Sequence, residues 1–341
     1  MSIKRIPLGN ISVNFVGAII RTLEQLGVSS AAILENYHLN QRFLGTPDAR
    51  ISIPKFMRLG NEAIRLSQTP HFGLLMGKNM TAGDMGLPGF AAMTAATLGQ
   101  SLDTLITYES LLSQNSRGHS SYYMEQGRAV CQFYSVSPYN QFNYFVVDSM
   151  LSTWHHFAQW LTQGIELVHH LDIEHDNKQY QSEYEALFDC PVHFGASRNA
   201  VILKKGREHY RPVYANRASH QSATQLCAHE KQRLEKGKTT KDQVIELIGA
   251  QLAGKPPNID DIAQKMGIAG WTLRRRLKAE GHQFQVILDQ TRRELARAYV
   301  RDTHHNFTEI AFLLGFSSPA AFQRAFKRWT NLSPGVYRQS L

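Results

Sequence analysis

At 341 residues the chain exceeds one ordinary hydrophobic core and points to two domains. With 43% apolar and 19% charged residues it is globular rather than disordered, and its three scattered cysteines (Cys131, Cys190, Cys227) lie at none of the spacings of a zinc or dithiol motif. The formal charge of +9 is unevenly placed: residues 1–229 hold 18 basic against 17 acidic side chains (+1) and residues 230–341 hold 19 against 11 (+8), so a polyanion is drawn to the C-terminal third.

At the N-terminus Lys4 and Arg5 precede an apolar run, but Gly9, Asn10 and Asn14 interrupt it and Arg21 closes it. No small-residue cleavage site follows, so a secretion signal is not expected. No stretch reaches the ~18–20 apolar residues of a membrane span, and the expected location is the cytoplasm. Helical spacing covers 13–26, 53–66 and 102–113, whereas the glycines of 81–90 read as a loop between helices. Residues 118–136 alternate as a hairpin turning at Gln126-Gly127. A strongly apolar helix follows at 142–161, then a strand at 167–175, a short helix at 180–188, and strands at 192–194 and 200–203. Helices set among few strands indicate an α+β domain.

Residues 210–254 read as connector. A polar stretch at 214–236, free of Gly and Pro between 214 and 236, suits a helix. Thr240 to Gln243 read as a capping box ahead of an apolar run expected to stop at Gly254, before Pro256-Pro257. The expected organisation is an α+β domain over 1–230, ending in a connector helix, then an all-α domain over 238–341.

Two segments, 258–281 and 306–331, repeat one plan. Each opens with Asn three residues before an acid (Asn258/Asp261, Asn306/Glu309), continues Ile-Ala (Ile262-Ala263, Ile310-Ala311), and reaches a Gly followed by a large apolar residue (Gly267-Ile268, Gly315-Phe316). The Asn and acid form a helix start, and the Gly permits the left-handed turn between two helices crossing at roughly 90–120°. In the next helix Leu273 and Leu277, or Phe322, Phe326 and Trp329, form the inward stripe. On another face Trp271, Arg274, Arg275 and Lys278 fall at i, i+3, i+4 and i+7; 49 positions later Ala320, Gln323, Arg324 and Lys327 do the same. One basic helix face is usually a solvated surface; two copies of the same cap, turn and face point to base edges and flanking phosphates. Between the units Phe284, Ile287, Leu288, Thr291, Leu295 and Tyr299 form one stripe of a linker helix long enough to set two recognition helices about one DNA turn (~34 Å) apart.

These residues resemble the AraC/XylS family of bacterial transcription regulators, most closely in Gly315-Phe316, Phe322, Arg324, Phe326-Lys327, Ser333-Pro334 and Tyr337-Arg338. The resemblance implies activation of transcription with RNA polymerase as a partner, and it places Trp271, Arg274, Arg275, Gln323 and Arg324 at DNA-contacting positions. With the helix faces, the candidate set is Trp271, Thr272, Arg274, Arg275 and Lys278 in the first unit, and Ser318, Ala320, Gln323, Arg324 and Lys327 in the second. Ala269 stands where the family usually has a capping Ser, and Asn331 where it usually has Gly. Pro319 and Ala320 carry no base-reading groups, so the second helix is expected to read fewer bases. The N-terminal region resembles the arabinose-binding-like effector domain of ornithine-responsive regulators, through Ile53-Pro54, Phe72-Gly73-Leu74 with Gly77, Thr97-Leu98 to Tyr108, Tyr184-Glu185, Phe188, Pro191-Val192, Phe194-Gly195-Ala196 and Arg211-Pro212.

Other chemistry finds little support. The histidine pairs His155-His156, His169-His170 and His304-His305 point apart on a helix and to opposite faces on a strand, so no metal set is expected and a metal-dependent sugar enzyme lacks its ligands. A zinc-cysteine DNA-repair centre lacks its cysteines, and no phosphate loop is present. The expectation is therefore a regulator and not an enzyme, without cofactor or membrane, whose partners are double-stranded DNA, RNA polymerase, a small-molecule effector of unknown identity and a second copy of itself. An architectural DNA-bending protein would not need two hundred near-neutral residues ahead of its basic module.

Overall fold

The computed structural model describes residues 9–46, 49–115, 118–135, 141–249, 251–252, 254–302 and 305–340. Readings that fall on residues 1–8, Val136 and His304 lie outside these. Buried apolar side chains form one large cluster spanning residues 11 to 203, a second from 244 to 326, and a small third made of Val130, Ala200 and Ile202.

The chain enters through β1 (Asn10–Ser12), α1 (Asn14–Gln25), α2 (Ala31–Asn36), α3 (Gln41–Leu44), β2 (Arg50–Ser52) and α4 (Ile53–Ser67). It continues through α5 (Phe72–Lys78), α6 (Gly86–Met93), α7 (Leu98–Thr107) and β3 (Ser113–Gln114). A three-stranded antiparallel sheet in the order β2-β1-β3 ties these together, pairing Asn10 with both Ser52 and Gln114. Helix α6 begins inside the segment read as a loop from its glycines. Gly89 explains the conflict, since a Cβ there would meet the backbone of Ala82 and side chain of Met85. Its packing requires Gly despite the poor helix propensity.

Next come β4 (Gly118–Glu125), β5 (Arg128–Ser135), α8 (Gln141–Leu161), β6 (Val168–Ile173), α9 (Gln181–Phe188), β7 (Val192–Phe194) and β8 (Asn199–Leu203). They make a five-stranded sheet in the order β4-β5-β8-β6-β7, with β6 and β7 parallel and the other neighbours antiparallel. The hairpin turns at Gln126 and Gly127, both at positive φ, as the alternation predicts. Helix α8 is the core, and α5 lies against it because two residues lack side chains. A Cβ on Gly73 would sit 2.6 Å from the Phe145 carbonyl oxygen, and one on Gly77 2.5 Å from that of Ser149. Of the described α8 residues, Trp160 is the large apolar side chain left exposed.

Strand β6 departs from simple alternation. Its register with β8 shifts between Val168 and His170, and the Nδ1 atoms of His169 and His170 lie 2.6 Å apart. An unbroken strand would have put them on opposite faces; the bulge brings them together.

Helix α10 (Arg217–Lys236) leads out of this domain, capped by Asn216 and held to it where His220 Nδ1 meets the Ala91 carbonyl at 2.8 Å and Lys231 Nζ donates to the Thr107 carbonyl at 2.8 Å. Helix α11 (Thr240–Gly249) follows. Its capping box is one residue earlier than expected: Thr239 Oγ1 accepts from the Asp242 amide and Asp242 Oδ2 from the Thr239 amide. It also ends at Gly249 rather than running to Gly254. Then come α12 (Ile259–Lys265), α13 (Gly270–Ala279), α14 (Phe284–Asp302), α15 (Phe307–Leu313), α16 (Pro319–Thr330) and α17 (Pro334–Gln339). The result is the α+β sensor followed by an all-α module of two helix-turn-helix units on a linker helix. No described helix is long and apolar enough to cross a membrane.

Candidate nucleic-acid interface

The two units are built alike at atomic detail. Asn258 accepts from the Asp260 and Asp261 amides while Asp261 reaches back to the Asn258 amide at 2.8 Å. Asn306 and Glu309 repeat the arrangement. Each first helix breaks at a left-handed Gly, Gly267 with φ +66 and Gly315 with φ +63. The following residue closes the turn onto an Ala carbonyl, Ile268 onto Ala263 at 3.0 Å and Phe316 onto Ala311 at 2.9 Å.

Helices α13 and α16 then pack through Leu273 and Leu277, and through Phe322 and Phe326, all fully buried. Burying each such side chain contributes about 1.5–3 kcal/mol, which fixes the rotation of both helices. With those stripes inward, Trp271, Arg274, Arg275 and Lys278 are exposed on α13, and Ala320, Gln323, Arg324 and Lys327 are exposed on α16. Thr272 and Ser318 are half-buried. Trp271 is 65% exposed, which is unusual for the largest apolar side chain, and the Arg275 guanidinium lies 5.1 Å from its ring centre. Arg274 pairs loosely with Asp260 at 3.8 Å, both of them mostly exposed; such a contact is weak and yields readily to a phosphate.

The helix starts differ. Ser318 Oγ accepts from the Ala321 amide at 3.2 Å ahead of Pro319 in the first turn, so this hydroxyl is engaged as a cap. Ala269 occupies the equivalent position with extended backbone and offers no side-chain acceptor. At the other end of α16, Asn331 takes the left-handed conformation at φ 61, as Gly would.

Arg292, which the periodicity leaves unnoticed, anchors the second unit from α14. Its Nε donates to the Leu314 carbonyl at 2.9 Å, its Nη2 to that of Gly315 at 2.7 Å, and its guanidinium covers Phe316 at 4.8 Å. Burial holds this guanidinium below its usual range. Arg338 does likewise from α17, donating to the Val300 and His305 carbonyls and covering Phe307. Asp289 on α14 receives the Trp329 indole N–H at 3.1 Å and Arg328 at 3.3 Å. These contacts make α14 the rigid mount of the second unit.

In the sensor the principal buried polar group is Asp148. Tyr184 donates to its Oδ2 at 2.8 Å, Asn177 donates to the Tyr184 oxygen at 3.1 Å, and His175 Nε2 stands 3.6 Å from Oδ1. Burial pushes the Asp148 carboxyl up to about 7, against the pull of the Tyr184 hydroxyl, and pushes His175 down to about 4. Separately, a cleft of about 400 Å³ lined by Asn10, Gln114, Arg233, Lys238, Asp242 and Glu246 runs between β1 and the two connector helices.

Two capped, Gly-turned helix pairs with outward basic faces on one linker define a DNA-binding module of the double helix-turn-helix class. Comparison with known proteins agrees. Residues 27–206 match the arabinose-binding domain of AraC transcription regulators and residues 262–340 a helix-turn-helix domain. The chain belongs to the AraC family: it is a DNA-binding transcription regulator with a ligand-binding domain ahead of its DNA reader. The ornithine utilization regulator of Pseudomonas aeruginosa is 24% identical over 330 residues, 97% of this chain and 96% of that protein. The regulator VirS of Mycobacterium tuberculosis is 24% identical over 322 residues, covering 93% and 92%. A crystal structure of the regulator CdpR from Pseudomonas aeruginosa aligns over 99% of this chain and 100% of that one, with 21% identity and a TM-score of 0.48.

Proposed function

We propose that residues 238–341 read two successive major grooves on one side of the duplex, through Trp271, Thr272, Arg274, Arg275 and Lys278 in one and Ser318, Ala320, Gln323, Arg324 and Lys327 in the other. The observation that carries this is the exposure, in both units, of the four face positions offset by 49 residues. Arg and Gln pair with base edges in the major groove, and Lys with phosphates. Ala320 contributes only an apolar contact, and Ser318 adds its hydroxyl proton. The first helix therefore sets most of the sequence preference.

Residues 1–230 form the sensor. A small metabolite held there shifts an equilibrium that α10 and α11 transmit to the reader. The relative named for ornithine utilization makes ornithine and other amino acids the first ligands to test. The chain acts in the cytoplasm as an activator that contacts RNA polymerase, and it catalyses no reaction. It works as a homodimer, for which Trp160, Val213, Tyr214 and Leu226 supply exposed apolar area near and along α10.

Selection of bound sequences from random duplexes, followed by footprinting, tests the reading. Two protected half-sites about 10–10.5 base pairs apart are expected. Uniform protection without an enriched sequence overturns it.

A further inference from the structure

We propose that the outer face of the five-stranded sheet carries a binding site for a divalent transition metal of the zinc class, formed by His170 Nε2, Asp172 Oδ1 and His193 Nδ1. Each of these three side chains offers one donor atom, and the three atoms all lie within 4.8 Å of one another. The His170 and His193 nitrogens lie 3.4 and 3.3 Å from the same carboxylate oxygen. Tetrahedral zinc with ligands at ~2.0–2.1 Å has donor-to-donor edges of about 3.3–3.4 Å. The two edges therefore already have the separation that a bound ion imposes.

The fold explains how these residues meet. Asp172 and His193 are register partners in the parallel β6–β7 pair. His170 and Asp172 are two residues apart on β6 and share its outward face, while Leu171 and Ile173 enter the core. His193 is exposed on the edge strand, which leaves the fourth position to water and the ion free to exchange.

The surroundings orient the donors. The bulge in β6 sets His169 Nδ1 against His170 Nδ1 at 2.6 Å. A proton shared there belongs to the far side of the His170 ring, so when it resides on His170 Nδ1 the Nε2 lone pair faces Asp172, as in metal-bound histidines steadied through their other nitrogen. Arg198 takes the other carboxylate oxygen, its Nε 3.1 Å from Asp172 Oδ2, which leaves Oδ1 to the imidazoles. The guanidinium is itself matched by Glu125, with Nη2 2.8 Å from Oε2 and Nη1 3.1 Å from Oε1. Two carboxylates against one guanidinium leave the cluster net negative, which favours a cation. Arg198 is thus a positioning residue. Imidazole and carboxylate donors without thiolate suit zinc and its neighbours rather than soft cuprous ions.

The test uses the untagged full-length chain, freed of metal by chelator and titrated with Co²⁺. One equivalent with visible d–d bands of tetrahedral intensity, bleached by Zn²⁺, is expected. His193→Gln, at an exposed edge position, and His170→Ala should each weaken binding at least ~100-fold, and Arg198→Gln by about 10-fold. His229→Ala, an exposed histidine on α10 away from the cluster, should leave binding unchanged. Circular dichroism in chelator establishes that the variants fold, and His193→Gln stands alone if His170→Ala does not. Failure to see stoichiometric bands, or bands of undiminished affinity in folded His193→Gln, overturns the site.

Discussion

The Arg275 guanidinium lies 5.1 Å from the centre of the Trp271 ring, four residues back on the exposed face of α13. A cation–π contact at an exposed site contributes about 0.5–1 kcal/mol, enough to narrow the directions in which the arginine points before DNA arrives. Arg275→Ala is expected to cost ~1–3 kcal/mol of binding with relaxed sequence preference, as for loss of a bidentate base contact. Arg324→Ala should behave likewise. Trp271→Ala should weaken binding by less and mainly through Arg275, so the double variant should fall short of the sum. If either arginine instead contacts phosphate, the loss will be uniform across sequences and the salt dependence shallower by about one unit. Mobility shifts of specific and scrambled duplexes over a salt series separate the two.

The two turn glycines differ in surroundings and so in tolerance. Both have positive φ, but a Cβ on Gly267 meets nothing within 4 Å, whereas one on Gly315 would lie 2.6 Å from the Leu252 carbonyl oxygen and 3.1 Å from Pro256 Cδ. Gly267→Ala should lose only the ~1–2 kcal/mol of a left-handed residue. Gly315→Ala should lose more, and Gly315→Val should unfold the second unit, because a β-branched residue at positive φ is an outlier even in open space. Urea melts order the three variants; a folded Gly315→Val chain with intact DNA binding refutes the ranking.

The DNA reader was legible because its signals are local. Asn258 with Asp261, Gly267, and the Leu273–Leu277 spacing all act within one or two turns of helix. What escaped depends on partners distant in sequence. Strands β1 to β3, two or three residues each, are too short to alternate and exist because Asn10 pairs with Ser52 and Gln114. Helices α5 and α6 carry glycines that weigh against helix until α8 and Ala82 are seen to need the space. Arg292 finds its carbonyl partners 22 and 23 residues later. The β6 bulge overrides the alternation that would separate His169 from His170, and His193 joins them from another strand.

The uncapped start of α13 is a place where the chain can be improved. Ala269 has the extended backbone of an N-cap but gives no side-chain acceptor, while Ser318 at the matching position does. Ala269→Ser should stabilise the first unit by about 0.5–1 kcal/mol, read as a higher melting temperature of the full chain. An unchanged or lower value would show that the α13 amides are already satisfied.

Acid sensitivity should be governed by opposing buried groups in the sensor. Burial presses His155 from 6.5 down to about 3 and His175 from 6.5 down to about 4, while it raises Asp148 from 3.8 to about 7. For the histidines the unfolded chain is the better proton acceptor, so their contribution is complete above pH 6.5 and is lost as pH falls through the range down to their folded values. Asp148 has the opposite sign: the folded chain keeps a proton that the unfolded chain releases, so its contribution is lost as pH rises from about 4 to 7. Two histidines outweigh one carboxyl, and the melting temperature should fall from pH 7 to pH 5. His155 packs edge-on against Phe188 at 5.1 Å, so His155→Phe replaces it with a ring that cannot titrate and should flatten that fall. Asp148→Asn removes the opposing group and should steepen it. Because the slope with pH is compared, and not the melting temperature at one pH, a packing defect in either variant shifts the curve without mimicking the effect, and parallel curves for all three proteins would refute the assignment.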